Sequence, residues 1–202
     1  MGGNWARKTA IAAIHSEADM IPIGYLYKKV AASPDWLAAK GIVDIYSLSS
    51  CISEDFADYI NYWKHNGYWL FNSPKDIEDI AKQESIDLSG MTLFYYEVYE
   101  YEFDEDSGEW SVFTPEPSFA TDVQIPEDNR LEGFDVVTFT AHTSPECSPL
   151  SCNALARKIS VNHHCLFNLF ADAKDALEGG RFNNSEPGPY RIVAVYTFGS
   201  NL

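Results

Sequence analysis

The chain has 202 residues, 46% of them hydrophobic and 14% aromatic, a length and composition that suit one packed domain and exclude a disordered chain. Its net charge is −16, and residues 83–129 hold 13 Asp and Glu with no Lys or Arg, which disfavours direct contact with a phosphate backbone and favours a basic protein partner. No apolar run approaches the roughly 20 residues of a membrane helix, and the N-terminus meets His15, Glu17 and Asp19 too early for a signal peptide, so the expectation is a cytoplasmic protein.

Residues 1–32 read as a mildly basic N-terminal appendage and 33–202 as a single α+β domain. S-P-D-W-L-A-A-K-G (33–41) predicts a short helix with Ser33 as its cap, Pro34 in its first turn and Gly41 as its stop. V-D-I-Y-S-L-S (43–49) alternates and is β-branched, so it predicts a strand. Residues 53–67 predict an amphipathic helix capped by Ser53, because Phe56, Tyr59, Ile60 and Trp63 recur at helical spacing. Y-W-L-F (68–71) predicts a short strand, and S-P-K-D-I-E-D-I-A-K (73–82) a helix that buries Ile77, Ile80 and Ala81.

Residues 91–113 predict a long strand, an Asp-Ser-Gly turn and a return strand. Residues 114–133 read as a surface loop and 134–141 as a strand. H-C-L-F (164–167) resembles a short strand, 169–180 a helix capped by Asn168 and stopped by Gly179, and Y-R-I-V-A-V-Y-T-F (190–198) a buried strand. Three segments echo one another at an offset of roughly 91 to 99 residues. They are 43–51 with 134–142, Y-W-L-F-N-S-P-K-D-I with H-C-L-F-N-L-F-A-D-A, and T-L-F-Y-Y-E-V-Y with R-I-V-A-V-Y-T-F. Either a duplicated strand–helix–strand unit or ordinary alternation gives that pattern. Both lead to an α+β fold with a mostly antiparallel sheet and helices on one face.

No nucleophile elbow, phosphate-binding loop, dinucleotide fingerprint or H-E-x-x-H motif occurs, so no catalytic residue is assigned and the expectation is a non-enzymatic protein. Two places carry chemistry. The first is the hairpin, where Tyr99, Glu100, Tyr101, Glu102, Asp104, Glu105 and Trp110 combine rigid aromatic area with acids. That pairing suits an immunity-like inhibitor facing a basic surface. An ordinary hairpin with an aromatic core face and wet acids gives the same pattern.

The second is the Cys/His group of His142, Cys147, Cys152, His163, His164 and Cys165, with Cys51 in a similar position after a strand. Cys147, Cys152, His163 and Cys165 form the ligand set proposed for zinc, since four residues between paired cysteines is an allowed spacing. No other cofactor is expected. The same residues fit a catalytic thiol with a histidine base, or buried thiols that pack as small hydrophobes in a rigid loop. A Cys147–Cys152 disulfide runs against a reducing cytosol. The Trp63–Trp69 cluster reads as core packing or a small-ligand platform.

The stretches C-I-S-E-D-F-A-D-Y-I-N-Y-W-K-H-N-G-Y-W-L-F-N-S-P and P-E-C-S-P-L-S-C-N resemble a group of uncharacterised bacterial cytoplasmic proteins. The resemblance spans most of the chain, implies a bacterial origin, and implies no activity, partner or site residue.

Overall fold

The structure, a computed structural model, describes residues 20–60, 65–113, 121–139 and 146–199. A seven-stranded antiparallel sheet organises it. β1 (Met20–Lys29) lies between β4 (Glu54–Asp55) and β5 (Thr92–Tyr99). β5 pairs with β9 (Tyr190–Thr197), whose other side takes β8 (Arg130–Thr138). Beyond a break at Glu100, β6 (Tyr101–Asp104) meets β9 at Tyr190 and pairs with the edge strand β7 (Glu109–Val112). A two-stranded patch joins β2 (Ala31–Ala32) to β3 (Asp44–Ile45). The α+β class with a mostly antiparallel sheet is therefore correct. Among the described residues no helix is long and apolar enough to cross a membrane.

The two longer helices, α1 (Pro74–Glu84) and α3 (Phe170–Glu178), lie on one face of the sheet. Phe170 of α3 packs edge-on against Tyr99 and Phe134, while Pro74 and Glu78 of α1 border a cleft with Tyr27 and Leu93. Leu93 and Tyr99 share one face of β5, because alternate residues of a strand point the same way. The other face carries Phe94, Tyr96 and Val98, and it is covered by the segments around residues 46–55 and 147–152 rather than by long helices. One-turn α2 (Pro149–Cys152) belongs to that covering layer.

The two halves repeat one another about an axis at the Tyr96–Val195 pair. Tyr25 pairs with Tyr95 as Phe134 pairs with Ala194. Gly24 and Gly133 each sit at a register shift with φ of +132° and +147°. Beside each glycine stands an Asn-centred loop. Asn66 Oδ1 accepts the Tyr68 and Leu70 amides and its Nδ2 donates to Ile23 O. Asn162 Oδ1 accepts the His164 and Leu166 amides and its Nδ2 donates to Glu132 O. The loops turn through Trp69 and Cys165, with φ of 60° and 64°. Two of the three sequence echoes therefore correspond to equivalent structure, and the third is corrected: the counterpart of β8 is β1, not 43–51.

Other elements also depart from expectation. Residues 20–32, read as part of an appendage, form β1 and β2. Residues 33–41 shrink to one 3-10 turn at Asp35–Leu37. Of the helix read over 53–67, residues 54–59 are instead β4 followed by a 3-10 turn at Phe56–Tyr59, capped by Asp55 rather than Ser53, and residues 61–64 lie outside the described residues. Pairing of Lys28 and Lys29 with Asp55 and Glu54 draws that backbone into the sheet and overrides the helical spacing. Only Asp44–Ile45 of 43–49 is a strand, 68–71 and 164–167 are the Asn-centred loops, and Leu169 rather than Asn168 caps α3. The helix at 73–82 is as expected, with the Ser73–Asp76 capping box. Trp63, His142 and residues 1–19 lie outside the described residues.

A Cβ at Gly24 or Gly133 would lie 2.5 Å from Phe71 O or Phe167 O, in a backbone conformation that side chains avoid. Gly24→Ala and Gly133→Ala should each cost about 2–4 kcal/mol by urea midpoint. Gly108→Ala, with nothing within 4 Å of its Cβ, should cost about 1 kcal/mol.

Candidate functional site

Three sulfurs meet on the sheet face opposite α1 and α3. Cys51 follows β3, Cys147 bridges to Thr138 at the end of β8, and Cys152 ends α2. The Sγ atoms of all three lie within 4.8 Å of one another. Cys51 is exposed, Cys152 half-buried and Cys147 buried. Of the expected ligand set, the structure unites Cys147 and Cys152, and it adds Cys51.

It puts the other two members elsewhere. Cys165 is 1% exposed at the left-handed turn of the Asn162 loop, and burial pushes its thiol up to about 12. His163 is exposed, and its carbonyl accepts the Val43 and Asp44 amides at 2.8 and 3.3 Å. His164 is buried, stacks on Tyr46 with ring centroids 3.8 Å apart, and hydrogen-bonds the Asp44 carboxylate. This histidine pair ties β3 to the second half; it does not join the thiols.

Two buried charged side chains hold the thiol-bearing loops. Lys28, on the Phe94 face of β1, donates to the carbonyls of Ser47, Leu48 and Ser49 at 2.7, 2.9 and 2.8 Å. Burial lowers it to about 8, against opposing help from Asp55 and Asp135. Asp135 on β8 accepts the Leu48 amide at 2.9 Å and the Ser148 hydroxyl at 2.6 Å through the same oxygen. Burial raises it to about 7, against those two hydrogen bonds. One carboxyl thus grips the loop before Cys51 and the residue after Cys147. Ser49 adds a link, with its hydroxyl 3.4 Å from Cys152 Sγ.

The thiols themselves are electrically unequal. Hydrogen bonds from Cys147 and Cys152, with lesser help from Ser49 and the Lys28 charge, draw the Cys51 thiol below its ordinary range. Cys147 moves the opposite way, because its thiolate would stand beside the other two sulfurs and because it is desolvated, and its thiol donates to Asn153 Oδ1 at 3.7 Å. An exposed, acidified thiol beside two further sulfurs can react with electrophiles or bind a soft metal.

The hairpin is differently used than expected. Tyr99 is fully buried between Trp110 and Phe170, so it cannot meet a partner. Glu102 pairs with Arg191 at 3.0 Å, and Trp110 Nε1 donates to Glu178 at 2.8 Å. Asp104 accepts the Ser107 amide and hydroxyl, and Glu105 accepts the Gly188 amide. Glu100 and Tyr101 are half-buried. Docking against α3 consumes the aromatics, which leaves Asp104, Asp106 and Glu109 as the exposed acids.

Cys51 lies some hundred residues before its partners, so spacing along the chain does not group it with them. Two charges inside apolar strands, Lys28 in L-Y-K-K-V and Asp135 in F-D-V-V, were the legible signal of a polar interior there.

Cys51 should alkylate first in native protein and Cys165 only on unfolding; native-state labelling read by mass spectrometry checks the order. Asp135 holds its proton more tightly folded than unfolded. Its contribution is therefore fully present below about pH 4 and lost as pH rises to about 7. The stability advantage of Asp135→Asn should grow across that window and level off above it, as seen in urea midpoints against pH.

Comparison with protein-family models, with curated proteins and with solved structures finds no match to this chain. The geometry of the site alone carries the functional reading.

Proposed function

We propose that the protein holds a thiophilic metal ion between loops of its two halves, with Cys51, Cys147 and Cys152 as ligands. The observation that carries this reading is the convergence of three Sγ atoms within 4.8 Å from two separate loops. Tetrahedral zinc with Zn–S bonds of about 2.3 Å needs sulfurs about 3.8 Å apart, so a contraction of at most about 1 Å suffices. Thiolate-rich sets of this kind select soft or borderline ions over magnesium or calcium. Three protein ligands leave one tetrahedral position open, and exposed Cys51 would keep that position reachable from solvent.

Zinc competition against a chromophoric chelator tests this. Wild type should take one ion, Cys51→Ser, Cys147→Ser and Cys152→Ser should each lose about a hundredfold or more in affinity, and Cys165→Ser should match wild type. A wild-type protein that takes no zinc from a micromolar indicator sinks the reading.

A second reading, an acidic inhibitor of a basic partner, is favoured by Asp106 and Glu109 standing exposed at the turn and edge strand β7. The Asp106→Lys, Glu109→Lys double variant should then release a basic partner at lower salt than wild type in affinity chromatography. Identical salt profiles count against it.

A further inference from the structure

Lys28 is 2% exposed, and three carbonyl oxygens surround its ammonium. Carbonyl dipoles replace its hydration but bring no net charge, and a buried charge is retained where an opposite charge stands nearby. Two buried carboxyls, its cross-strand partner Asp55 and Asp135, help to keep it charged, though among the described residues neither lies within ion-pair distance of it. The bonded oxygen of Asp135 is committed to Leu48 and Ser148 instead. The thiol cluster is two links away. Ser49 gives its carbonyl to Lys28 Nζ at 2.8 Å and its hydroxyl to Cys152 Sγ at 3.4 Å.

We infer that Lys28 is the counter-charge of a divalent thiolate centre at Cys51, Cys147 and Cys152, an inference that rests on the metal-holding reading above. Three S–metal bonds replace three S–H bonds, and each proton not already lost by Cys51 leaves to solvent. Three thiolates and one divalent ion carry −1, and the Lys28 ammonium carries +1. The Lys28 charge thus offsets the negative charge of the centre, while Asp135, buried beside it, adds negative charge that opposes the centre. Lys28 is a positioning residue: it touches no metal ligand in the structure's hydrogen bonds, and it acts through the Ser47–Ser49 carbonyls and through its field.

Zinc affinity of wild type, Lys28→Met and Asp135→Asn, measured at pH 8 by chelator competition with thermal midpoints alongside, tests this. Methionine keeps the length and removes the charge. Asparagine keeps an acceptor for Leu48 and Ser148 and removes a negative charge. Lys28→Met should bind zinc about ten- to a hundredfold more weakly and should release more protons per zinc, because its thiols keep theirs. Asp135→Asn should bind about threefold tighter or more. Mere loosening of the loops would weaken zinc in both variants, so opposite signs identify the charge.

Zinc binding by Lys28→Met equal to wild type overturns the role of Lys28 and leaves the metal reading standing. A wild type that takes no zinc overturns both. Should Lys28→Met fail to fold, Asp135→Asn decides: tighter zinc supports the inference, and unchanged or weaker zinc overturns it.

Discussion

The packing of a loop carbonyl directly onto a strand glycine, made twice, is the constraint on which the rest of this structure depends. Phe71 O and Phe167 O come so near Gly24 and Gly133 that no other residue fits there. Each contact is locked by one asparagine that satisfies two loop amides and donates back to the strand. Buried backbone polar groups must find partners, and here a single side chain serves three of them. The loops then feed α1 and α3 onto one face. The opposite face is left to irregular segments, and irregular segments can carry chemistry that a packed helix cannot.

That opposite face is where polarity is concentrated. Lys28, Asp55, Asp135 and Ser148 are all buried under the covering loops. A sheet face lined only with Phe94, Tyr96, Val193 and Val195 would pack without them, and at lower cost. The buried charges have a visible result: they fix the ends of two loops that have no regular structure of their own. The acidity of residues 83–129 is a separate matter. Part of it is tied down, by the Glu102–Arg191 pair and by the turn that Asp104 caps, while most of the described acids there face solvent.

The α+β class, the helices at 73–82 and 169–180 and the closing strand were legible, because capping residues and apolar period act locally. The repeat was half legible: L-F-N recurs at 70–72 and 166–168 with its helix, but Gly24 and Gly133 lie in strands whose other residues differ. The failure at 53–67 has a long-range cause. Its spacing is helical, yet β1 captures Glu54 and Asp55 as an edge strand, and no local signal reports a neighbour in space. The site was half legible for the same reason. Cys147 and Cys152 announce themselves by spacing, whereas Cys51 joins them only through the fold. Cys165 sits in an apolar run and proved to be a turn residue with a left-handed backbone, a position that its sequence neighbours hide.

The axis through Tyr96 and Val195 bears on the number of thiols. A twofold axis generates groups in pairs, so identical halves would present two or four sulfurs at their seam, never three. One cysteine here comes from the first half and two from the second. The halves share their glycine-and-asparagine contacts but differ in the sulfurs they carry, so the two arms of the chain are not interchangeable.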